Sequence, residues 1–422
     1  HVTVQSIRRR FTTLLIVRLD SQPMGSGASP TDPSERIVSL DVLRGFALLG
    51  ILLINMWVFS MPLAVLQNPT AYGDFTGLNY FAWLFAHVFA QGKFITLFTL
   101  LFGAGIVLFT RSKDSKAADS LHNRRTAFLL GVGLAHAYLL WYGDILTQYA
   151  LCGLFVATIR DWEPKPLARF GLLLVAVPTL LYLAQGFTIQ PGTQLAFGWA
   201  PSDAALASEI ATYRDGWIAQ LDHRVPTAFS LQTGSFFAAQ FWRLSGLMMV
   251  GMALFKWGVL SNRRSTQFYR RLLVGGATGG LALILTGVWY NTAVDWQAPE
   301  ALFFGTQFNY WGSLLLAGAY LAIVMLYCRW RTEGPVITAL SAVGRTAFSN
   351  YLLQTVLATS IFYGHGLGLF GSVSRVQQLQ IVVGIWAVQI VLSVLWLRWF
   401  RFGPAEWCWR SVTYGTRQPL RK

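Results

Sequence analysis

Residues 38–60 read VSLDVLRGFALLGILLINMWVFS, an apolar run long enough for a helix that crosses a lipid bilayer. Asp41 and Arg44 stand near its beginning and share a helix face, because they are three residues apart. A charged side chain in hydrocarbon costs about 2.5 kcal/mol or more, so such groups normally face a cavity, a charged partner or a substrate. The same reasoning selects five further ionisable groups inside apolar stretches: Lys93, His136, Asp144, Arg243 and Arg345.

The composition of the whole chain indicates an integral membrane protein. Hydrophobic residues make up 54% of the 422 residues, charged residues only 12%, and the mean hydropathy is +0.47. The formal charge of +15 is compatible with nucleic-acid binding, but that function requires a basic patch on a soluble face or a recognised motif, and the sequence has neither. The predicted partner of the chain is therefore the lipid bilayer, and nucleic acid is not a predicted partner.

Apolar runs of about 20 residues predict an all-α, polytopic protein with about ten transmembrane helices. The predicted spans are 38–60, 79–110, 125–142, 144–160, 167–187, 234–260, 268–291, 306–328, 337–363 and 376–400. Alternate connections carry nearly all the lysines and arginines, and the positive-inside rule then places both termini in the cytoplasm.

The chain divides into three parts. Residues 1–35 combine three arginines, a short apolar run and then a Pro/Ser/Gly-rich stretch that contains Met24. They are predicted to be a disordered or mis-annotated extension, with Met24 as a candidate natural start. Residues 36–403 form the transmembrane domain, and its long outer connection, 188–233, has apolar residues at helical spacing after Ser202, which predicts a helix lying on the outer surface or closing over a cavity. Residues 404–422 are a basic cytoplasmic tail.

Two predicted spans contain an internal break. Gln91, Gly92 and Lys93 interrupt an apolar stretch that is longer than a bilayer requires, and Gly344 and Arg345 follow a short apolar segment. Each break predicts a surface or re-entrant helix that leads into a shorter true span.

Asp41, Arg44 and Arg345 are predicted to form a cluster at the cytoplasmic ends of their helices, with net positive charge. Arg345 stands at the positive end of a helix dipole and therefore requires an anion. One interpretation is that the cluster locks two helices together. The other is a phosphate-binding mouth that opens to the cytoplasm, because arginine binds phosphate through two hydrogen bonds at once.

His136 is the candidate general base, because a neutral imidazole exchanges a proton near neutral pH. The alternative is a structural histidine that is hydrogen-bonded between helices. Asp144 lies eight residues later, about 12 Å along a continuous helix, so it cannot orient His136 unless Gly143 breaks that helix. We expect Asp144 to support the site by closing the outer end or by meeting Arg243.

Three buried amides are candidates for stabilising an oxyanion or for bridging helices: Asn55, Asn350 and Gln354. The three cysteines have no metal-binding spacing, so we predict neither a metal site nor a permanently bound cofactor.

The sequence resembles the YeiB-like family of bacterial multi-pass membrane proteins, from Arg36 to the C-terminus. The resemblance rests on several motifs: Ser39 to Gly50 with Asn55, Gly92 to Phe94 followed by Leu101 to Gly105, His136 with Tyr142 to Leu146, Gly344 and Arg345 with Ser349 to Tyr351, and Phe402 to Ser411. It implies residence in the bacterial inner membrane.

The family is similar in fold to a wider set of transmembrane acyltransferases that includes heparan glucosaminide N-acetyltransferase. This similarity implies that acyl-CoA is a co-substrate held from the cytoplasm and that the acceptor is a glycan or small molecule at the membrane or the outer face. Arg44, Lys93 and Arg345 would then bind the phosphates, and Asp41 and Arg243 would complete the binding site.

The competing function is that of a proton-coupled transporter or exporter of a small molecule, with the two broken spans around a midplane site and His136 or Asp144 relaying protons. A scaffold or sensor without catalytic activity is a third possibility. The sequence leaves open the acceptor, the acyl chain and the oligomeric state.

Overall fold

The computed structural model describes residues 36–111, 115–190 and 198–422. The predicted extension 1–35 and part of the outer connection therefore lie outside the described residues. The described residues form α-helices and short π- and 3₁₀-helices, and within them β pairing is limited to one isolated bridge between Phe400 and Arg421. The α-helices are α1 Val38–Ser60, α2 Gly77–Phe89, α3 Lys93–Thr110, α4 Ser115–Ala135, α5 Leu146–Ala157, α6 Pro164–Thr188, α7 Asp203–Arg214, α8 Leu221–Gln232, α9 Phe241–Lys256, α10 Thr266–Ala293, α11 Thr306–Trp330, α12 Pro335–Arg345, α13 Ala347–Phe362, α14 Arg375–Trp399 and α15 Pro404–Tyr414.

Seven helical segments of the described chain are long and apolar enough to cross a membrane. They are Val38–Ser60, Gly77–Thr110, Pro164–Thr188, Leu221–Lys256, Thr266–Ala293, Glu300–Trp330 and Arg375–Trp399. The protein is therefore an all-helical, multi-pass membrane protein. Three predicted spans are not among the seven. The helix at 125–142 is polar at one end, the helix at 144–160 is short, and the span 337–363 is divided at Thr346. The number ten stays a prediction.

The connections between helices gather at two ends of the bundle. At one end, which we call the arginine end, hydrogen bonds join the beginning of α1 to α12, α4 to the α5–α6 connection, and α15 to α4. At the opposite end, further hydrogen bonds join the connections after α1, α4, α6, α10 and α13, as in Asn68 to Trp199, Trp217 to Leu139, Trp199 to Trp296 and Arg214 to Phe370.

Helices α1 and α12 cross at two glycines. A Cβ atom on Gly45 would lie 2.0 Å from the Leu340 carbonyl oxygen, and one on Gly344 would lie 1.9 Å from the Asp41 carbonyl oxygen. Small residues allow helix backbones in a membrane to approach this closely. Since Arg44 and Arg345 adjoin these glycines, the crossing brings both arginines to one place.

Both predicted helix breaks are present. Gly92 has φ +86°, a left-handed conformation that suits glycine, and it separates α2 from α3. Thr346 separates α12 from α13. The outer helix also begins as predicted, because the Ser202 side chain accepts a hydrogen bond from the Ala205 backbone N–H. This helix ends at Arg214, and the connection forms a second helix, α8, from Leu221.

We expect Gly344→Ala to lower the stability of the protein by about 1–3 kcal/mol, because the added methyl group forces α1 and α12 apart. Gly275→Ala is the matched control, since a Cβ at that helical glycine meets nothing within 4 Å. Thermal unfolding in detergent measures both. Equal melting temperatures for the two variants would show that the crossing tolerates a methyl group.

Candidate functional site

A cavity of ≈ 310 Å³ opens between α1, α3, α4, α13 and α15 at the arginine end. Among the described residues, six arginines and one carboxylate, that of Glu406, are in its wall; the arginines are Arg36, Arg44, Arg125, Arg345, Arg401 and Arg410. The deeper wall is apolar and aromatic, and includes Leu48, Ile51, Phe98, Leu101, Phe102 and Tyr149. We call this space the arginine cavity. Its shape suits a ligand with an anionic head and an apolar chain.

Asp41 organises two of these arginines. Its carboxylate is buried and accepts hydrogen bonds from Arg36 Nε at 2.5 Å and from Arg44 Nη1 at 3.1 Å. Both arginine side chains remain partly exposed, at 41% and 32%. One carboxylate thus aligns two guanidinium groups without neutralising both.

Arg345 has no carboxylate partner within 4.0 Å in the described part of the chain. Its Nη2 donates to the Arg401 carbonyl oxygen at 3.4 Å, and its buried Nε has no hydrogen-bond acceptor. The predicted cluster of Asp41, Arg44 and Arg345 is present, but Asp41 is engaged by Arg36 and Arg44. The Arg345 guanidinium therefore keeps donors available for an anionic ligand.

Aromatic rings support two other cationic groups of the wall. The Arg125 guanidinium lies 5.0 Å from the Phe109 ring centroid and 4.3 Å from that of Trp409. The Arg410 guanidinium lies 4.4 Å from the ring of Phe402. These cation–π contacts stabilise the arginines without using their hydrogen-bond donors.

Glu406 has a different function, because it caps the N-terminus of α13. Its carboxylate accepts hydrogen bonds from the backbone N–H of Phe348 at 2.6 Å, the N–H of Ser349 at 3.3 Å and the Ser349 hydroxyl at 2.5 Å. Burial raises the pKa of Glu406, and these hydrogen bonds partly oppose that rise. Glu406 was absent from the predicted site. Pro404 followed by an acidic residue does signal a helix start, but not that the carboxylate caps another helix.

His136, Asp144 and Thr355 form a buried hydrogen-bonded chain. His136 Nδ1 lies 3.0 Å from Asp144 Oδ1, and His136 Nε2 lies 2.9 Å from Thr355 Oγ1. A π-turn over His136–Leu140 ends the helix, and the turn at Gly143 returns the chain so that Asp144 reaches the imidazole. The expectation that Asp144 meets Arg243 is therefore wrong. Sequence reasoning missed Thr355.

The imidazole of His136 lies directly behind the inner wall of the arginine cavity. Its ring centroid is 5.1 Å from that of Tyr351, which lines the cavity together with Ile145. The Tyr351 hydroxyl accepts a hydrogen bond from the Ile145 backbone N–H at 3.3 Å. The Tyr351 ring therefore separates the imidazole from the cavity. An imidazole oriented by a carboxylate can accept a proton from a hydroxyl group.

Lys93 lies elsewhere. Its ammonium group is fully buried at the Gly92 break and donates to Asn309 Oδ1 at 2.6 Å and to the His87 and Gln91 carbonyl oxygens at 2.8 Å. Helix α3 runs about 25 Å from Lys93 to its arginine-end terminus at Thr110. The predicted grouping of Lys93 with Arg44 and Arg345 is therefore wrong, because the break falls deep in the bundle.

The three candidate amides have different surroundings. Asn350 donates to Ser393 Oγ at 2.8 Å, and Gln354 donates to Gln389 Oε1 at 3.0 Å, so both bridge α13 to α14. Asn55 instead lines a second cavity of ≈ 220 Å³, together with Gly92 and with three residues that precede Asp144, namely Trp141, Tyr142 and Gly143. Asn350 and Gln354 are in the wall of neither of these two cavities.

Comparison with known proteins identifies the family. Residues 254–416 match the family described as DUF418, a protein of unknown function. The chain is 33% identical over 389 residues to the uncharacterized protein YeiB of Escherichia coli strain K12, covering 91% of this chain and 98% of that protein. It is 32% identical over 415 residues to the uncharacterized protein YxaH of Bacillus subtilis strain 168, covering 94% and 99%. The chain belongs to the YeiB-like family.

Three of the five motifs that carry the YeiB-like resemblance meet in the structure. Asp41 and Arg44 from the first motif, Gly344 and Arg345 from the fourth, and the segment 402–410 from the last meet around the arginine cavity. Neither the family description nor the names of the relatives state an activity. The cavity is thus where the function of this YeiB-like protein is best sought.

We expect Glu406→Ala to destabilise the contact between α15 and α13 by about 1–2 kcal/mol, because it removes the acceptor for the first backbone N–H groups of α13. Amide hydrogen exchange over Pro404–Tyr414 should become faster. Glu333→Ala changes an exposed glutamate between α11 and α12 and should leave that exchange unchanged. Equal protection of the tail helix in both variants would contradict a capping function.

Proposed function

We propose that this protein is a membrane acyltransferase that takes an acyl group from a cytoplasmic acyl-CoA and transfers it to an acceptor at the membrane or the outer face. The observation that carries the proposal is the arginine cavity, which combines a cationic mouth with an apolar interior that ends beside His136. Acyl-CoA has the complementary chemistry, with phosphates at one end and an acyl chain at the other.

The proposal includes ten membrane crossings, with the arginine end and both termini in the cytoplasm. Its support is the gathering of alternate connections at opposite ends of the bundle, together with the concentration of lysine and arginine in one set of connections. The bacterial relatives support a location in the cytoplasmic membrane. Ligands from either side of the bilayer would then reach the helix bundle.

In the proposed complex, Arg44 and Arg345 bind phosphate oxygens, and Arg36 adds a further charge at the mouth. The acyl chain lies along Leu48 and Phe98, which brings the thioester toward Tyr351. Charge-assisted hydrogen bonds to phosphate make the mouth the main source of affinity.

The proposed reaction requires His136 as the general base. Asp144 holds the Nδ1–H tautomer, which leaves Nε2 to accept the proton of the acceptor hydroxyl once Thr355 has been displaced. The acceptor oxygen bonds to the acyl carbon, the carbon–sulfur bond breaks, and the thiolate of CoA takes the proton from the imidazolium. Asn55 is the remaining amide candidate for stabilising the oxyanion, because Asn350 and Gln354 are engaged between helices.

The second cavity supplies a route for the acceptor. Ile51 lines both cavities, and Gly143 of the second is two residues from Ile145 of the first. The two cavities thus approach each other beside the segment that holds Asp144.

The same pair of cavities supports the alternative of a proton-coupled transporter, since alternating access opens one site to each face in turn and Ile51 lies between two cavities. His136 and Asp144 would then relay protons. Proteoliposomes that contain labelled acyl-CoA separate the two functions. Release of free CoA without solute flux supports acyl transfer, and proton-coupled flux without CoA release supports transport.

We expect Arg345→Gln to weaken acyl-CoA binding by about tenfold or more, because a charge-assisted hydrogen bond contributes about 1.5–3 kcal/mol. Arg331→Gln changes an exposed arginine outside the cavity and should bind normally. Isothermal titration of detergent-solubilised protein measures both affinities. Unchanged binding by Arg345→Gln would remove the proposed phosphate site.

His136→Ala should abolish acyl transfer and leave acyl-CoA binding within a factor of about two, because the imidazole lies behind the cavity wall rather than at the phosphate site. Single-turnover release of CoA measures the chemical step separately from binding. Turnover at the wild-type rate in His136→Ala would exclude the imidazole as the base.

A further inference from the structure

Lys93 and Arg243 are two cations in the interior of the bundle, away from the arginine cavity. Both contact the same two helices. Lys93 begins α3 and bonds Asn309 of α11, while Arg243 of α9 contacts Thr96 of α3 and Ser313 of α11. Lys93 and Thr96 are about one turn apart on α3, and Asn309 and Ser313 are about one turn apart on α11. The two positive charges therefore lie about one helical turn from each other, at the same site.

The hydrogen-bonding capacity of Lys93 is filled. Its ammonium group has three N–H donors, and three protein oxygens accept from it, two of them backbone carbonyls. These neutral dipoles solvate the ammonium group, but they bring no negative charge.

The guanidinium of Arg243 is poorly satisfied by comparison. Its Nη2 contacts Thr96 Oγ1 at 3.5 Å and Ser313 Oγ at 3.4 Å, which are long for charged hydrogen bonds. Both hydroxyls donate elsewhere, Thr96 to the Gly92 carbonyl oxygen and Ser313 to that of Tyr310. Arg243 Nε is buried without any acceptor. The guanidinium also lies 4.7 Å from the centroid of the Tyr310 ring.

Within the described residues, no carboxylate lies within 4.0 Å of either cation. Asp144, the acid expected to meet Arg243, is held by His136. Loss of a proton from Lys93 would remove one charge, but arginine stays protonated in proteins. The Arg243 guanidinium is partly buried among apolar helices without a carboxylate partner. That arrangement is costly, so a negative charge beside Arg243 would stabilise the site.

We infer that a small monovalent anion binds against Arg243, and that Lys93, about one helical turn away, adds electrostatic attraction for the anion. Arg243 keeps some accessible surface for it. Gly92 lies beside the guanidinium, because a Cβ atom there would be 3.5 Å from Arg243 Nη2. Gly92 also lines the second cavity, which gives an anion a path from the opposite end of the bundle. Halide ions and small carboxylates share the required charge and size. This inference is independent of the proposed acyl transfer.

Thermal unfolding at constant ionic strength tests the inference, with sodium gluconate replaced stepwise by sodium chloride. An anion that binds the folded state should raise the melting temperature of the wild-type protein saturably. Arg243→Gln should lose this dependence. Arg345→Gln, which removes a cation from the arginine cavity, should retain it, and this control separates the two sites.

Replacement with acetate distinguishes a carboxylate from a halide as the favoured ligand, and either result supports the site. Crystals grown in bromide supply a test that needs no variant, because an anomalous peak beside Arg243 is expected. If Arg243→Gln folds poorly, Arg243→Lys is the second variant, and it should keep part of the anion dependence of the melting temperature. Identical wild-type melting in all the salts, an undiminished chloride effect in Arg243→Gln, or bromide crystals without that peak would each overturn the inference.

Discussion

Water does not solvate the interior of an apolar helix bundle, so each ionised side chain there depends on a partner supplied by another part of the chain. Three carboxylates show how the fold meets this requirement, two of them buried and that of Glu406 half-buried. Asp41 aligns Arg36 and Arg44 where α1 begins, Asp144 holds His136 where α4 ends, and Glu406 caps α13 from the tail. Each stands at a helix terminus, so the charged contacts also determine where helices stop and how they meet.

Much of the architecture could be predicted because hydropathy and glycine have local effects. The first span, the breaks at Gly92 and near Gly344, and the helix that follows Ser202 each depend on a few adjacent residues. The contacts of charged groups could not be predicted in the same way. The pairing of His136 with Asp144 depends on a π-turn that leaves no clear pattern in the sequence, and the position of Lys93 depends on depth in the bundle rather than on its neighbours in the chain.

The interior charges divide into two functional regions. Around the arginine cavity, positive charge exceeds negative charge at a mouth that solutes can reach, which suits a ligand that binds and leaves. Around Arg243, the excess is enclosed among α3, α9 and α11, which suits an ion that stays bound for longer. Ile51 and the segment from Trp141 to Ile145 lie between the arginine cavity and the second cavity, so movement there would affect both cavities.

The Glu406 cap has a consequence for how the membrane protein is made. Residues 404–410 supply one wall of the arginine cavity, yet the ribosome synthesises them after the helices that form the other walls. During translation the mouth is therefore open on one side, and α13 inserts without its N-terminal acceptor. A fluorescent protein fused directly after the tail helix would stand beside this mouth and would affect the step that closes it.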